Sequence, residues 1–129
     1  MQLRYTILYV EDVAATLAFY VQAFGLQRKM LHESGQYGEL ATGATTLSFS
    51  SRALMESLGK HPGRPDAGHP SFEIAFETDD VAAAYARALA AGAAPVQEPA
   101  DMPWGQTTAY VRDLDGFLVE ICTAVAAQP

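Results

Sequence analysis

The feature that most constrains this chain is a repeat in the order of its secondary-structure signals. Residues 4–10 alternate Tyr5, Ile7 and Tyr9 with Thr6, Leu8 and Val10, the period of a strand. Asp12 suits a helix cap, and Val13, Leu17, Tyr20, Val21 and Phe24 recur at helical spacing up to Gly25, which stops the helix. Residues 26–31, 38–42 and 45–50 read as three more strands, the last two turning at Thr42-Gly43-Ala44. The series then restarts. Residues 72–78 place Phe72, Ile74 and Phe76 on one face and Glu73, Ala75 and Glu77 on the other, and Asp79-Asp80 precedes a second helix. There Val81, Tyr85, Ala88 and Leu89 repeat the places of Val13, Leu17, Tyr20 and Val21, and Asp12-Val13-Ala14-Ala15 returns as Asp80-Val81-Ala82-Ala83. Gly92 ends this helix and Pro95-Val96-Gln97 begins a strand. Residues 107–112 and 117–123 supply the last two strands around Asp115-Gly116, where glycine accepts the positive φ of a tight hairpin turn. A period this long excludes a solenoid of short repeats. It predicts an α+β fold of two βαβββ modules, about residues 1–50 and 72–124, joined by a linker of about 51–71.

The 129 residues suit one compact domain, 1–129, built from the two modules. Eight Lys and Arg against fifteen Asp and Glu give a net charge of −7, which argues against nucleic acid or an anionic membrane surface as a partner. No stretch has the length needed to span a bilayer. Met1-Gln2-Leu3-Arg4-Tyr5 reads as the start of a strand rather than as a charged region before an apolar signal core, so a cytoplasmic protein is expected. Cys122 is the only cysteine; no internal disulfide can form, and it reads as a buried filler rather than a nucleophile. In the linker, residues 52–58 suggest a short helix, and 59–70 form a Gly/Pro-rich loop carrying His61 and His69. These two, like His32, lack companions at metal-site spacing and read as surface histidines.

Glu120 interrupts the apolar run Phe117, Leu118, Val119, Ile121. A carboxylate in such a strand lies on a solvated face, meets a partner or binds a metal.

Val10-Glu11-Asp12, Phe19-Tyr20 and Phe24-Gly25-Leu26, followed near the end by Pro103-Trp104-Gly105-Gln106, Arg112-Asp113-Leu114-Asp115-Gly116 and Glu120, resemble the opening and closing signatures of the vicinal oxygen chelate superfamily. That superfamily includes glyoxalases, extradiol dioxygenases and bleomycin-resistance binding proteins. The resemblance implies its fold, a cupped, mostly antiparallel sheet around a cleft, and a homodimer. It places the family's four metal-ligand positions on Tyr5, Ser48, Glu73 and Glu120. Leu114 stands where the family has proline. Two carboxylates with a serine and a tyrosine lack the family's histidines, so no metal or other cofactor is expected, with a divalent metal as the alternative.

The resemblance therefore implies, first, a small-molecule binding protein of the antibiotic-resistance kind, taking an aromatic or cationic ligand. Tyr5, Tyr9, Trp104 and Tyr110 would supply aromatic contacts, and Ser48, Glu73 and Glu120 polar ones. Trp104 has a second reading, as a cap over the core. The alternative activity is a lyase, isomerase or dioxygenase in which Glu73 and Glu120 are catalytic, with a metal or as an acid–base pair. A third reading is a vestigial site on an interaction protein.

Overall fold

A computed structural model describes residues 1–125. The elements are β1 (Tyr5–Val10), α1 (Val13–Phe24), β2 (Gln27–Leu31), β3 (Tyr37–Ala41), β4 (Thr46–Ser51), α2 (Arg52–Ser57), β5 (Glu73–Glu77), α3 (Val81–Ala90), β6 (Ala94–Asp101), β7 (Thr107–Arg112) and β8 (Leu118–Cys122). They form two four-stranded sheets, ordered β1-β4-β3-β2 and β5-β8-β7-β6. In each sheet the first pair is parallel (β1 with β4, β5 with β8) and the other two are antiparallel. The chain divides into two compact units, the first Met1–Arg64 and the second beginning at Pro65.

The helices begin where the aspartates stand. Asp12 accepts the Ala15 N–H at 3.1 Å and Asp80 the Ala83 N–H at 3.0 Å, satisfying donors that a helix start leaves open. Gly25 ends α1 in the left-handed region, at φ 69°. In the first unit, Leu8, Val10, Leu40, Leu47 and Phe49 are buried, as are Val13, Leu17 and Tyr20 of α1. Tyr20 meets Phe49 at 5.0 Å and Phe24 at 5.2 Å between ring centroids. Gly38 permits this closeness, because a Cβ there would stand 2.5 Å from Leu17 Cδ1. In the second unit Val81 and Ala88 of α3 are buried, together with Ala109, Val111, Val119 and Ile121 of the sheet. That core is built on alanine and β-branched residues. By alternation, each sheet's other face carries the remaining, more polar set.

The last hairpin turns over residues 113–117, around Asp115-Gly116. β7 ends at Arg112 and β8 starts at Leu118. Asp113 sets the width. It is 5% exposed, and its Oδ1 accepts the N–H groups of Asp115, Gly116 and Phe117 at 2.9, 2.9 and 2.8 Å. Gly116 supplies the positive φ, 101°. A carboxylate in a ring of amides thus organises the turn, and the Asp-Gly pair completes it.

At the end of β1, Glu11 reaches Arg52 at 2.6 Å and Arg64 at 3.4 Å. The hydrogen bond and charge of Arg52, with Arg64 adding to them, hold the Glu11 carboxyl below its ordinary value. No helix among the described residues is long and apolar enough to cross a membrane.

Candidate functional site

The second sheet gathers Glu73, Glu120 and Tyr110 on one face. Glu120 pairs in register with Ala75 on one side and with Tyr110 on the other, and Glu73 lies two residues from Ala75 along β5. Strand alternation therefore points all three side chains the same way. Hydrogen bonding toward Glu120, then partial burial and the Glu120 charge, raises the Glu73 carboxyl above its ordinary value. A carboxyl facing another carboxylate holds its proton to higher pH. Burial pushes the Tyr110 phenol up; the charges of Glu120 and Glu73, and its hydrogen bond to Glu120, act in the same direction. The phenol thus stays a neutral donor toward Glu120. Among the described residues, no lysine or arginine forms an ion pair with either glutamate. An open hollow of about 370 Å³ lies beside Glu73, lined also by Pro70, Ser71, Phe72 and Leu118.

Cys122 follows Glu120 on the same face, next to Glu77 and Thr108 in register. It is buried, and burial followed by the Glu120 charge raises its thiol, which disfavours the nucleophilic thiolate. Trp104 stands at the tip of the β6–β7 hairpin, 54% exposed. Its indole N–H donates to Gln106 at 2.8 Å, and Gln106 donates to the Thr123 carbonyl at 2.9 Å. The indole is therefore held outward by a two-bond brace; it does not cap the core of its unit.

The first sheet places Tyr5, Ile7 and Tyr9 in register with Thr46, Ser48 and Ser50. Tyr5 and Ile7 are exposed, while Ser48 is fully buried. Glu39 pairs with Ser48 from the other side and accepts the Tyr37 hydroxyl at 2.7 Å. Lys29 lies 3.6 Å from Glu39. Burial raises the Tyr37 phenol, Glu39 adds to the rise, and the neighbouring Ser48 hydroxyl opposes it. Lys29, Tyr37 and Glu39 are not among the residues the sequence singled out. Their signal is hidden because Lys29 is an extra residue in β2, where the register shifts between Arg28 and Met30.

The three histidines lie outside the strands. His69 meets the exposed Asp66 at 3.3 Å, His32 bonds Ser34 at 2.8 Å, and His61 is an exposed loop residue at φ 49°.

The donors at the four family ligand positions do not suit a divalent transition metal. Tyr5 and Ser48 offer hydroxyls where such a metal favours imidazole, thiolate or carboxylate, which leaves two carboxyls as the charged donors. Among the described residues no three His, Cys, Asp or Glu side chains stand together as a metal-binding group.

Residues 2–121 match the family model described as Glyoxalase/Bleomycin resistance protein/Dioxygenase superfamily. The chain is similar to a "Probable lactoylglutathione lyase" of Vibrio parahaemolyticus serotype O3:K6 (strain RIMD 2210633), 27% identical over 123 residues, 93% of this chain and 88% of that protein. Among solved structures, a glyoxalase-related enzyme from Fulvimarina pelagi superposes with a TM-score of 0.82 at 24% identity, covering 96% of this chain and 88% of that one. A glyoxalase/bleomycin resistance protein/dioxygenase family enzyme from Burkholderia phytofirmans PsJN gives 0.81 at 24% identity, over 98% and 100%. At these identities the structural likeness establishes the fold.

Proposed function

This chain belongs to the glyoxalase/bleomycin resistance protein/dioxygenase superfamily, and on that premise we propose that it is a small-molecule binding protein, working without a bound metal, whose polar anchor is the Glu73–Glu120 pair. One observation carries this reading: register sets two glutamates on one strand face, and among the described residues no lysine or arginine pairs with either. A ligand ammonium or amidinium supplies the missing positive charge. Tyr110 supports Glu120, and the hollow beside Glu73 takes the body of the ligand. Trp104, exposed and braced, offers a flat surface for an aromatic ligand. Tyr5 and Tyr9 offer similar contacts on the first unit's own face. The setting we assign is a cytoplasmic homodimer that sequesters an antibiotic-like compound.

The test is calorimetric titration of the whole protein with benzylammonium and with benzyl alcohol, its neutral counterpart. The amine should bind more tightly, by about tenfold for one charge-assisted hydrogen bond, and Glu120→Gln should abolish the difference. Equal binding of the two probes would remove the anchor from the proposal. Metal analysis after loading and washing tests the metal-free part, and near-stoichiometric retention would overturn it.

A second reading is favoured by the raised Glu73 carboxyl and by the name of the Vibrio relative. Glu73 and Glu120 would then act as acid and base in a lyase or isomerase. Consumption of lactoylglutathione, lost in Glu73→Gln, would move the assignment from binder to enzyme.

A further inference from the structure

We propose that Asp115-Gly116 is a modification site, where the chain isomerises spontaneously to isoaspartate, and that the Asp113 carboxylate is the latch that keeps this site closed in the folded protein. Of the aspartates in this chain, Asp115 alone is followed by glycine. Glycine has no Cβ, so nothing on the next residue keeps its amide nitrogen from the aspartyl side chain. In an open chain the Gly116 nitrogen attacks Cγ of the Asp115 carboxyl. A C–N bond forms, and the carboxyl's hydroxyl leaves as water with the amide proton. A second water then opens the cyclic imide. Attack at the side-chain carbonyl restores aspartate; attack at the main-chain carbonyl breaks the bond to nitrogen there and leaves the backbone running through Cβ. Water is the only co-reactant, and nothing is oxidised or reduced.

The folded turn blocks the first step. The Gly116 N–H donates to Asp113 Oδ1 at 2.9 Å and to the Asp113 carbonyl at 3.2 Å. Attack needs that nitrogen without its proton, and a carboxylate beside it disfavours the anion. The Asp115 and Phe117 N–H groups donate to the same Oδ1 at 2.9 and 2.8 Å. The Asp113 N–H in turn donates to the Phe117 carbonyl at 2.9 Å. The amides on both sides of the Asp115 side chain are thus fixed, and turning the Gly116 nitrogen toward Cγ breaks its bonds to Asp113. Asp113 is buried, so the amides it releases do not find water in its place without the turn opening.

The isomer cannot be latched again. Its extra backbone atom lengthens the turn and carries the Gly116 N–H away from Asp113. β8 begins at Leu118, and Glu120 pairs there with Ala75 and Tyr110. A lesion at Asp115 therefore unseats the strand that carries Glu120; this consequence alone touches the anchor proposed above.

The test is warm incubation of the whole chain at neutral pH, folded and in urea, followed by peptide mapping with isoaspartyl methyltransferase labelling. In urea isoaspartate should accumulate at Asp115, and in the folded protein at least about tenfold more slowly. Asp113→Asn, which keeps an acceptor oxygen and removes the charge, should speed the folded reaction, and Asp113→Ala should speed it further; where the alanine variant does not fold, the asparagine variant decides. Gly38→Ala, which strains the first unit and leaves the turn alone, should not change the rate at Asp115. Equal rates folded and in urea, no isoaspartate at Asp115 in urea, or an Asp113→Asn variant no faster than wild type or than Gly38→Ala would each overturn the proposal. Isoaspartate is measured without any ligand, so the anchor at Glu120 can fail while the latch stands.

Discussion

The two sheets share one plan and spend it differently. Register equates Tyr5 with Glu73, Ser48 with Glu120 and Glu39 with Tyr110. The first sheet holds one carboxylate and supplies its companions from the chain, a lysine and a phenol. The second holds two carboxyls side by side with only a phenol for company. The fold thus fixes where side chains of this face stand, and the residue types decide whether the face is electrostatically closed or asks for a cation. Behind the faces the cores differ too. α1 packs an aromatic cluster against Phe49, whereas α3 meets its sheet with alanine and valine.

That difference in cores gives the largest expected effect. Phe49→Ala should destabilise the protein by about 4 kcal/mol, and Ile121→Ala, at the matched position, by about 3 kcal/mol. Urea unfolding of the whole chain reads both, and a larger loss at Ile121 would break the contrast. The turns come next. Asp113→Ala strips three amides of a buried acceptor and should cost about 3 kcal/mol. Thr42→Ala, in the corresponding turn of the first sheet, should cost about 1 kcal/mol, because one neutral hydroxyl there accepts the Leu47 N–H at 2.9 Å. Equal losses would show that the carboxylate is no stronger an organiser than the hydroxyl. Gly38→Ala should cost about 2 kcal/mol by overpacking against Leu17. The matched residue of the second sheet is already Ala109, which shows how much closer α1 lies to its strand.

Much of this was legible in the residues because it is local. Asp12 and Asp80 start helices in any context that leaves amides free, and the alternation of Tyr5, Ile7 and Tyr9 fixes a face whatever packs on it. The pairing of Glu73 with Glu120 was reachable only through the family likeness, since the two residues are far apart in sequence and meet through a parallel strand pair. Tyr110 joins that face through its register with Glu120, a long-range pairing that strand periodicity alone does not give. The Lys29–Glu39 contact was illegible because a bulge breaks the period on which strand reading depends. Asp113 was hidden by its neighbours: Asp115-Gly116 is the stronger turn signal, yet the buried carboxylate two residues earlier sets the width.

The smallest effect sharpens the comparison most, because it reads the carboxyl pair directly. In the fold Glu73 keeps its proton above the ordinary value of 4.5, so between that value and its folded one the native state binds a proton the unfolded chain has released. Stability from this group is therefore full below the unfolded value and is lost as pH rises through the folded one. Glu73→Gln keeps a hydrogen-bond donor for Glu120 and removes the titration. Wild type should thus lose stability relative to Glu73→Gln as pH rises from the ordinary carboxyl value through the raised one, by an amount that solvent screening keeps small at so exposed a residue. Parallel pH curves for wild type and Glu73→Gln would mean that the two carboxyls ionise independently, and the second face would then be no different in kind from the first.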